Sequence, residues 1–339
     1  MCEIRYLGQL CEISTGNNNR DEACNNGKYP FFVRSKDVLA IDNYSYNENA
    51  VIIPGEGAVG DVFHYVNGKY GLHQRAYRIH PNTSSLNCRY LYYYMFCNFK
   101  SYILKKTVGA TSLSIRKPML EQFVVVVPHI KVQEEIVKIL DSFTNLIDAL
   151  NEELSLRQKQ FEYYREELLT FDDSCDYVCI PPQRGKRVVK NDLNNNNKYP
   201  VYQNSIEPLG YYDKNNRRAD MTFIICAGAA GEIGFSTTEF WAADDCFTID
   251  HDDLLDKFIY YCIYAQKPYL KSQVRKASIP RLSNSVLSKL RYPCLSKKVQ
   301  QSIVEKLDAF ESLISSLKEE IALRQKQYEY YREKLLTFE

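Results

Sequence analysis

Long apolar runs and a charged-then-apolar N-terminal segment are both missing from this 339-residue sequence. A helix that spans a membrane needs about 18 or more consecutive apolar residues. A secretory signal peptide begins with a basic segment followed by an apolar one. We therefore expect neither a membrane span nor a signal peptide, and we expect a cytoplasmic protein. The length predicts two domains or more.

The cysteines lack the paired spacing of a disulfide framework or a zinc site. Eleven are scattered along the chain, and the close pair Cys175 and Cys179 is not followed by a second group of cysteine or histidine ligands. Reduced and mostly buried thiols are therefore expected, as in most cytosolic proteins. The five histidines are also isolated from one another, so we expect no metal site.

No catalytic motif can be recognised in the sequence. It lacks an Asn-Pro-Pro-aromatic methyltransferase motif, a Walker loop, an HExxH pair and a nuclease set of carboxylates and lysine. The acidic run from Asp250 to Asp256 resembles a metal loop, but it precedes a predicted helix, where carboxylates stabilise the N-terminus. We therefore expect no catalytic residues in this chain.

What the sequence does contain is a long internal repeat. Val132–Phe171 returns as Val299–Phe338, at a constant offset of 167. Apolar positions alternate in steps of four and three in both copies, which predicts coiled-coil helices of about 60 Å. These positions are Ile136, Leu140, Phe143, Ile147, Leu150, Leu154, Phe161, Tyr164 and Leu168 in the first copy, and Ile303, Leu307, Phe310, Ile314, Leu317, Ile321, Tyr328, Tyr331 and Leu335 in the second.

Two such helices in one chain most simply pair antiparallel. A plain coiled-coil spacer would explain either copy alone. However, the two copies also match on their surfaces, as LRQKQFEYYRE and LRQKQYEYYRE. This near-identity suggests that something recognises the exposed faces twice.

The segments that precede the two helices echo each other as well. Tyr29-Pro30 matches Tyr199-Pro200, and each pair opens a strand-like run. Later in each segment, Tyr90–Lys106 and Lys257–Lys271 are predicted as helices, and short Ser/Thr loops at 111–117 and 278–283 follow them. The β-type runs, punctuated by Gly, Pro and Asn, predict mostly β domains with one or two helices each.

The predicted fold class is therefore α+β. Two mostly β domains are each followed by a long helix, and the two helices pair as an antiparallel coiled coil with pseudo-two-fold symmetry. The predicted boundaries are residues 1–128 and 172–294 for the domains, and residues 129–171 and 295–339 for the helices.

The segment from Gly55 to Gly60 matches the G-x-G-x-x-G pattern literally. A dinucleotide site needs this loop to open a helix, so that the pyrophosphate meets the helix N-terminus. Here a β-type run follows, and the second copy, from Ala227 to Gly234, keeps the turn glycines but loses the pattern. We therefore predict a tight β-turn.

Duplicated but divergent domains on matched spacers suit a bipartite DNA site, because half-sites about one helical turn apart present the same face of the duplex. The charge adds modest support: the net charge is +1, but residues 1–128 carry 14 basic and 10 acidic side chains. Arginine pairs with guanine, and asparagine or glutamine with adenine. Lysine and the remaining arginines contact phosphates.

The candidate DNA-binding residues are polar, basic and aromatic positions in the predicted loops. They are Arg34, Ser35, Lys36, Lys69, Tyr70, His73, Gln74, Arg75, Arg116 and Lys117 in the first domain, and Arg184, Lys186, Arg187, Lys190, Tyr202, Gln203, Asn204, Ser205, Arg275, Lys276 and Arg281 in the second.

These features together resemble the specificity subunits of type I restriction-modification enzymes. The resemblance rests on the duplicated LRQKQ(F/Y)EYYRE helices, on LGQLCEISTG (7–16) and KYPFFVRSKDV (28–38) in the first domain, and on residues 184–213 with the following GAAGEIGF turn in the second. It covers essentially the whole chain.

The resemblance implies two target recognition domains that each read one half of a split DNA site, with the helices as a ruler between them. It also implies that two methyltransferase subunits dock on the chain and methylate adenine, and that two motor-nuclease subunits then join to cut unmethylated DNA. The chain itself would be a non-catalytic subunit without a cofactor. S-adenosylmethionine, ATP and Mg would be bound by the partner subunits.

A second hypothesis from a different class stays open at this point. The chain could be a non-catalytic coiled-coil adaptor whose globular domains bind protein rather than DNA. Salt-dependent DNA affinity separates the two hypotheses, because phosphate contacts release counterions.

Overall fold

The computed structural model describes residues 2–106, 114–171, 175–194 and 196–338. The first part of the predicted loop 111–117, up to residue 113, lies outside the described residues. None of the described helices is long and apolar enough to cross a membrane.

The first repeat folds into strands followed by helices. Its elements are β1 (Glu3–Tyr6), α1 (Leu7–Leu10), β2 (Cys11–Thr15), β3 (Tyr29–Phe32), β4 (Leu39–Ile41), β5 (Tyr46–Pro54), β6 (His64–Leu72), β7 (Ala76–Pro81), α2 (Cys88–Lys106), α3 (Lys117–Glu121), β8 (Val124–Val127) and the long α4 (Ile130–Leu169), with a 3-10 turn at Arg20–Glu22.

The second repeat follows the same order. Its elements are β9 (Tyr177–Cys179), β10 (Gln183–Arg184), β11 (Tyr199–Tyr202), β12 (Gly210–Tyr212), β13 (Met221–Ile225), β14 (Ile233–Ser236), β15 (Trp241–Ala242), β16 (Cys246–Ile249), α5 (Asp256–Ala265), α6 (Lys267–Ser272), α7 (Asn284–Leu287), β17 (Arg291–Pro293) and the long α8 (Lys297–Leu336), with a 3-10 turn at Lys190–Asp192.

The strand order is the same in both repeats. In the first, one sheet runs β2-β7-β5-β6-β3-β4. In the second, the corresponding sheet is divided into β10-β16-β13-β14 and β12-β11-β15, because β14 and β15 are separate pieces of the strand that β6 forms unbroken. Even the parallel pairing is repeated, between β3 and β6 and between β11 and β15. The predicted α+β class is confirmed.

One predicted helix is divided in the structure. Tyr90–Lys106 lies within α2, as predicted, but the segment Lys257–Lys271 is split into α5 and α6 at Gln266. Pro268 lies in the first turn of α6, and proline cannot donate the backbone hydrogen bond that would continue α5. At the break, the side-chain amide of Gln266 donates hydrogen bonds to the carbonyls of Cys262 and Arg291, at 3.0 and 2.9 Å.

The chain forms two compact units. Unit 1 consists of Met1–Asn151 and Glu320–Glu339, and unit 2 consists of Glu152–Glu319. Each unit therefore combines one globular repeat with part of each long helix, which is a different division from the predicted series of domain, helix, domain, helix.

Within unit 1, the first half of α4 packs against the last half of α8. Ile136, Leu140 and Leu336 belong to the same buried core, and farther along, Phe143 stacks on Tyr331 with 5.4 Å between ring centroids. As the residue numbers rise along α4, the residue numbers of their contacts on α8 fall. The two segments therefore run antiparallel.

Within unit 2, the last half of α4 packs against the first half of α8 in the same way. Tyr164 stacks on Phe310 at 5.4 Å, and Leu168 packs against the core that contains Ile303 and Leu307. The apolar positions near the helix ends thus pack into the globular core of each unit. The sequence pattern had predicted that these positions pair with the other long helix alone.

A buried glutamine anchors the start of each long helix. The side-chain oxygen of Gln133, fully buried, accepts the Asn87 N–H at 2.8 Å, and its amide donates to the carbonyls of Ser85 and Pro128 at 2.8 and 2.7 Å. In unit 2, the equally buried Gln300 accepts the Leu255 N–H at 2.8 Å and donates to the carbonyls of Asp253 and Leu295 at 2.9 and 2.8 Å.

We expect Gln133→Met to lower the free energy of unfolding by about 3 kcal/mol, because it keeps the side-chain volume but removes the partner of three backbone groups, one buried and two part-buried. Gln300→Met should have the same effect in unit 2. The measurement is urea unfolding followed by circular dichroism. Gln301→Met, at the exposed neighbouring position, is the control and should cost less than about 0.5 kcal/mol. Equal losses at positions 300 and 301 would contradict the anchoring role.

Candidate nucleic-acid interface

The predicted β-turn is present in both repeats. Gly57 and Gly60 have φ angles of 82° and 80°, and Gly228 and Gly231 have angles of 80° and 82°. Residues with a side chain rarely adopt this left-handed conformation, so both turns require glycine. The strand β6 follows the first turn, which confirms a turn rather than a helix-opening nucleotide loop.

The first turn holds two other loops by backbone hydrogen bonds. The Gly55 N–H donates to the Arg75 carbonyl at 2.9 Å, and the Gly55 carbonyl accepts the Ile115 N–H at 2.8 Å. Glu56 and Ser114 form an antiparallel bridge. The loop after β6 and the loop before α3 are therefore fixed against the turn.

Side chains from three loops meet at this turn. The Glu56 carboxylate accepts hydrogen bonds from the guanidinium groups of Arg34 and Arg75, at 3.1 and 3.2 Å. All three side chains are about half exposed. We call Arg34, Glu56, Arg75 and Ser114 the first loop cluster. A surface cavity of about 250 Å³ adjoins it, lined by Arg20, Val33, Arg34, Ser35, Glu56, Gly57, Ala58 and His73.

The second turn uses the same backbone frame. The Cys226 N–H donates to the Asp245 carbonyl at 2.8 Å, and the Cys226 carbonyl accepts the Leu282 N–H at 2.8 Å. Ala227 and Arg281 form the antiparallel bridge that corresponds to Glu56 and Ser114. The frame is thus conserved between the repeats while the side chains differ.

A further loop also reaches the second turn. The Asn204 carbonyl accepts the Ala229 N–H at 2.9 Å, and Asn204 occupies the same place after Tyr199-Pro200 as Arg34 does after Tyr29-Pro30. We call Asn204, Ala227, Asp245 and Arg281 the second loop cluster.

Two other predicted residues lie next to the second loop cluster. Arg184 Nε donates to the Asp244 carbonyl at 2.8 Å, and the Gln203 amide donates to the Asp244 carboxylate at 3.4 Å. Asp244 directly precedes Asp245 in the chain, so the β10 end and the loop after β11 meet at one place.

Most of the predicted DNA-binding residues are accessible. Exposed are Arg34, Ser35, Lys36, Lys69, Gln74, Arg75, Arg116, Lys117, Arg184, Lys186, Arg187, Lys190, Asn204, Arg275, Lys276 and Arg281, and half-buried are Tyr202, Gln203 and Ser205. Some of them lie outside the two clusters: Lys69 lies over the ring of Tyr44 at 4.6 Å, and Lys117 approaches Glu121 at 3.7 Å. The half-buried Tyr202 stacks on Phe223 at 4.3 Å.

Tyr70 and His73 are buried, unlike the other predicted DNA-binding residues. Tyr70 is fully buried, and its hydroxyl donates to Glu48 at 2.9 Å, so its ring cannot reach DNA in this structure. His73 is 7% exposed, and its Nδ1 accepts the Arg75 N–H at 3.0 Å. Burial raises the pKa of Tyr70 and lowers the pKa of His73, and so favours the neutral form of both side chains.

The buried hydroxyl of Tyr70 belongs to an ionic network inside the first domain. Arg78, 3% exposed, donates to Glu48 at 2.6 Å and to Glu12 at 2.8 Å. The hydrogen bonds and the positive charge of Arg78 hold the pKa of Glu12 below its ordinary value. A buried cation requires such partners, so this network supports the sheet beneath the loops.

Several residues of this surface were missed by sequence reasoning. Glu56 and Arg20 line the cavity beside Arg34, and the Gln74 amide donates to Asn19 Oδ1 at 2.7 Å. Glu56 could have been found, because it stands inside the turn pattern where the second repeat has Ala227. No local signal marks Asn19 or Arg20, since only the folded sheet brings them to the turn.

No group of three or more His, Cys, Asp and Glu side chains within the described ranges is arranged to hold a metal ion. The polar side chains of the two clusters include hydrogen-bond donors and acceptors, the kinds of group that pair with base edges.

The family model of the type I restriction modification DNA specificity domain matches twice, at residues 2–156 and 173–323. A Haemophilus influenzae protein described as a type I restriction enzyme specificity subunit is 28% identical over 92% of this chain and 89% of its own length. The EcoR124I/EcoR124II specificity subunit of Escherichia coli is 29% identical over 61% of this chain and 59% of its own length.

Solved structures support the fold independently. The S subunit of a type I restriction-modification system from M. genitalium superimposes with a TM-score of 0.74, covering 100% of this chain and 97% of its own, at 16% identity. A chain from a study of type I complex assembly and conformational transition gives a TM-score of 0.55 at 12% identity, covering 99% of this chain and 96% of its own. With both repeats matched by the family model, the chain belongs to the type I restriction-modification DNA specificity family, as a specificity subunit.

Proposed function

We propose that each globular repeat reads one half of a split DNA site and that the paired helices set the spacing between the halves. The observation that carries this proposal is the backbone frame that the two turns share, on which the side chains differ. One frame with two side-chain sets suits two readers of similar geometry and different base preference.

The chemistry of the loops supports DNA as the ligand. The exposed arginines can bond guanine, and Asn204 and Gln203 can bond adenine, through paired hydrogen bonds in the major groove. The exposed lysines Lys36, Lys186 and Lys276 can contact phosphates, which position a protein without reading sequence.

The two long helices are suited to act as a ruler. Each spans 40 residues, or about 60 Å at the rise of an α-helix. A fixed spacing makes the second half-site contact intramolecular, which raises affinity for the split site by roughly 10²–10⁴-fold over one half-site.

The chemical steps are assigned to partner subunits. Two methyltransferase subunits would dock on the repeated helix surfaces and methylate adenine with S-adenosylmethionine. Two motor-nuclease subunits, with ATP and Mg, would cut unmethylated DNA. This chain would then contribute recognition and assembly and bind no cofactor of its own.

The test is sequencing of adenine methylation in DNA exposed to this chain together with its cognate methyltransferase subunit. We expect one split motif, methylated once on each strand, because each domain places one half-site and the partners act on both strands. Omitting this chain should remove methylation at that motif and serves as the control.

A second measurement separates the proposal from a protein-binding adaptor. The affinity of the purified chain for duplex DNA should fall steeply with salt, with a log-log slope of several, because each phosphate contact contributes about 0.9 to the slope. Methylation of the same motif without the chain, or an affinity that salt does not change, would contradict the proposal.

A further inference from the structure

Four loop positions correspond between the repeats: the same backbone contacts fix three of them, and the spacing in the sequence fixes the fourth. The turn positions Glu56 and Ala227 each lie in an antiparallel bridge, and their bridge partners are Ser114 and Arg281. The backbone equivalence is therefore independent of side-chain identity.

A backbone hydrogen bond fixes the third position, and the distance along the sequence from the Tyr-Pro pair fixes the fourth. The carbonyls of Arg75 and Asp245 each accept the N–H of the residue just before the bridged turn position. Arg34 and Asn204 each follow a Tyr-Pro strand by the same distance, and both contact the turn.

The charged side chains stand at different members of this set of positions in the two repeats. The first loop cluster has a carboxylate on the turn, Glu56, and a cation on the loop after β6, Arg75. The second loop cluster has Ala227 on the turn, a carboxylate at Asp245, and a cation at Arg281 on the bridged loop. Each cluster thus keeps one carboxylate and at least one cation but holds them at different places on the same frame.

We infer that these four positions in each repeat determine which bases the repeat accepts, with Glu56 as the specificity-determining residue of the first. This inference rests on the proposed DNA-reading function. The domains would share one docking geometry and differ in the groups that this geometry presents to the base edges.

The geometry of the first loop cluster points to a G·C pair. A carboxylate accepts the amino hydrogen of cytosine, and an arginine donates to guanine. Glu56 lies between Arg34 and Arg75, 3.1 and 3.2 Å from their guanidinium groups, so it both offers acceptor oxygens and orients the two donors. Without it the arginines would lose their common partner.

The second turn is packed against the loop after β11, which limits how far it can shift to compensate for a changed side chain. A Cβ atom on Gly228 would lie 2.8 Å from the Asn204 carbonyl oxygen, and both glycines of each turn have left-handed backbone angles. A substitution at the bridged positions should therefore change the presented groups without moving the frame.

The experiment measures base preference at every position of the split site, by methylation of a randomised DNA library in the presence of the methyltransferase subunit. Glu56→Gln removes the charge and keeps the size. We expect its preference at one G·C pair of the first half-site to fall roughly tenfold or more, with the second half-site unchanged. Ala227→Glu is the reciprocal variant and should change the second half-site only.

Two further variants make the result decisive. Glu3→Gln removes a more exposed carboxylate from β1, away from the loops, and should leave every preference within twofold. Ser114→Arg introduces the residue of the second repeat at the bridged position and should also alter the first half-site alone. Thermal unfolding of each variant identifies any that do not fold.

The possible outcomes distinguish the inference from the function on which it rests. A change confined to one half-site for Glu56→Gln and Ser114→Arg supports the inference. The inference would be overturned if the wild-type chain selects a split motif and the folded Glu56→Gln and Ser114→Arg variants select the same motif within twofold. The proposed function would then stay intact. A wild-type chain without any sequence preference would overturn both.

Discussion

Replacing Phe143 and Phe310 with aspartate should remove the affinity advantage of a split DNA site over its separate halves. Phe143 stacks on Tyr331 within unit 1, and Phe310 stacks on Tyr164 within unit 2. Each phenylalanine therefore holds one long helix to the other inside its own unit. Both rings are half-buried, so a carboxylate in their place would be partly desolvated and without a partner.

The expected loss follows from packing and from effective concentration. Each substitution should weaken the helix pairing by roughly 2 kcal/mol, below the cost of truncating a fully buried phenylalanine because the rings are only half-buried. Once the helices separate, the two half-sites bind independently, and the advantage of roughly 10²–10⁴-fold for the split site should fall to near one. Binding of a single half-site should survive.

The measurement is fluorescence anisotropy with a split duplex and with each half-site alone. Ser142→Asp and Ala309→Asp are matched controls, because they place the same charge at the exposed neighbouring positions. These controls should keep the full advantage. If the double phenylalanine variant also kept it, the helices could not be the ruler.

The repeat and its helices could be predicted from sequence because their signals are local. The alternation of apolar positions is set by the helical period, and the turn glycines are set by the backbone angles of a single residue. The same period, however, fits a helix that packs on a globular core. Sequence therefore could not show that Ile136 and Leu140 join the core of the first domain.

The loop clusters were only partly predictable because their members come together through the sheet. Arg34 and Arg75 were identified as basic loop residues, but the carboxylate between them, Glu56, was not. Tyr70 was assigned to the surface although its neighbour Lys69 is exposed on the same strand. Successive residues on a strand face opposite sides, and that alternation was the available signal that Tyr70 is buried.

The duplicated helix motif leaves large apolar side chains exposed at equivalent positions. Leu156 and Tyr163 on α4 are 65% and 63% exposed, and Leu323 and Tyr330 on α8 are 62% and 58% exposed. In each pair the residues are seven apart, so they lie on one face of the helix. We call these pairs the α4 patch and the α8 patch.

The polar surroundings of the two patches are duplicated too. Arg157 donates to Gln160 at 3.0 Å, and Arg324 donates to Gln327 at 3.0 Å. The proposed docking of two methyltransferase subunits would use two copies of one apolar surface, and aromatic side chains often carry a large share of the binding energy of an interface.

Replacing all four patch residues, Leu156, Tyr163, Leu323 and Tyr330, with serine should therefore abolish recruitment of the methyltransferase subunit. Loss of a hot-spot aromatic residue costs about 2 kcal/mol or more, so methylation should fall at least about 30-fold while the DNA affinity of the isolated chain stays within twofold. Native mass spectrometry with the cognate subunit measures the number of copies bound.

The two patches allow a stoichiometric control that a general loss of folding would not reproduce. A variant with serine only at Leu156 and Tyr163 should bind one methyltransferase copy instead of two, because the α8 patch is intact. Glu162→Ser with Glu329→Ser, at exposed polar positions of the same helices, should still bind two. If the four-residue variant bound two copies, partner docking would have to occur elsewhere, and the duplication of these surfaces would need another cause.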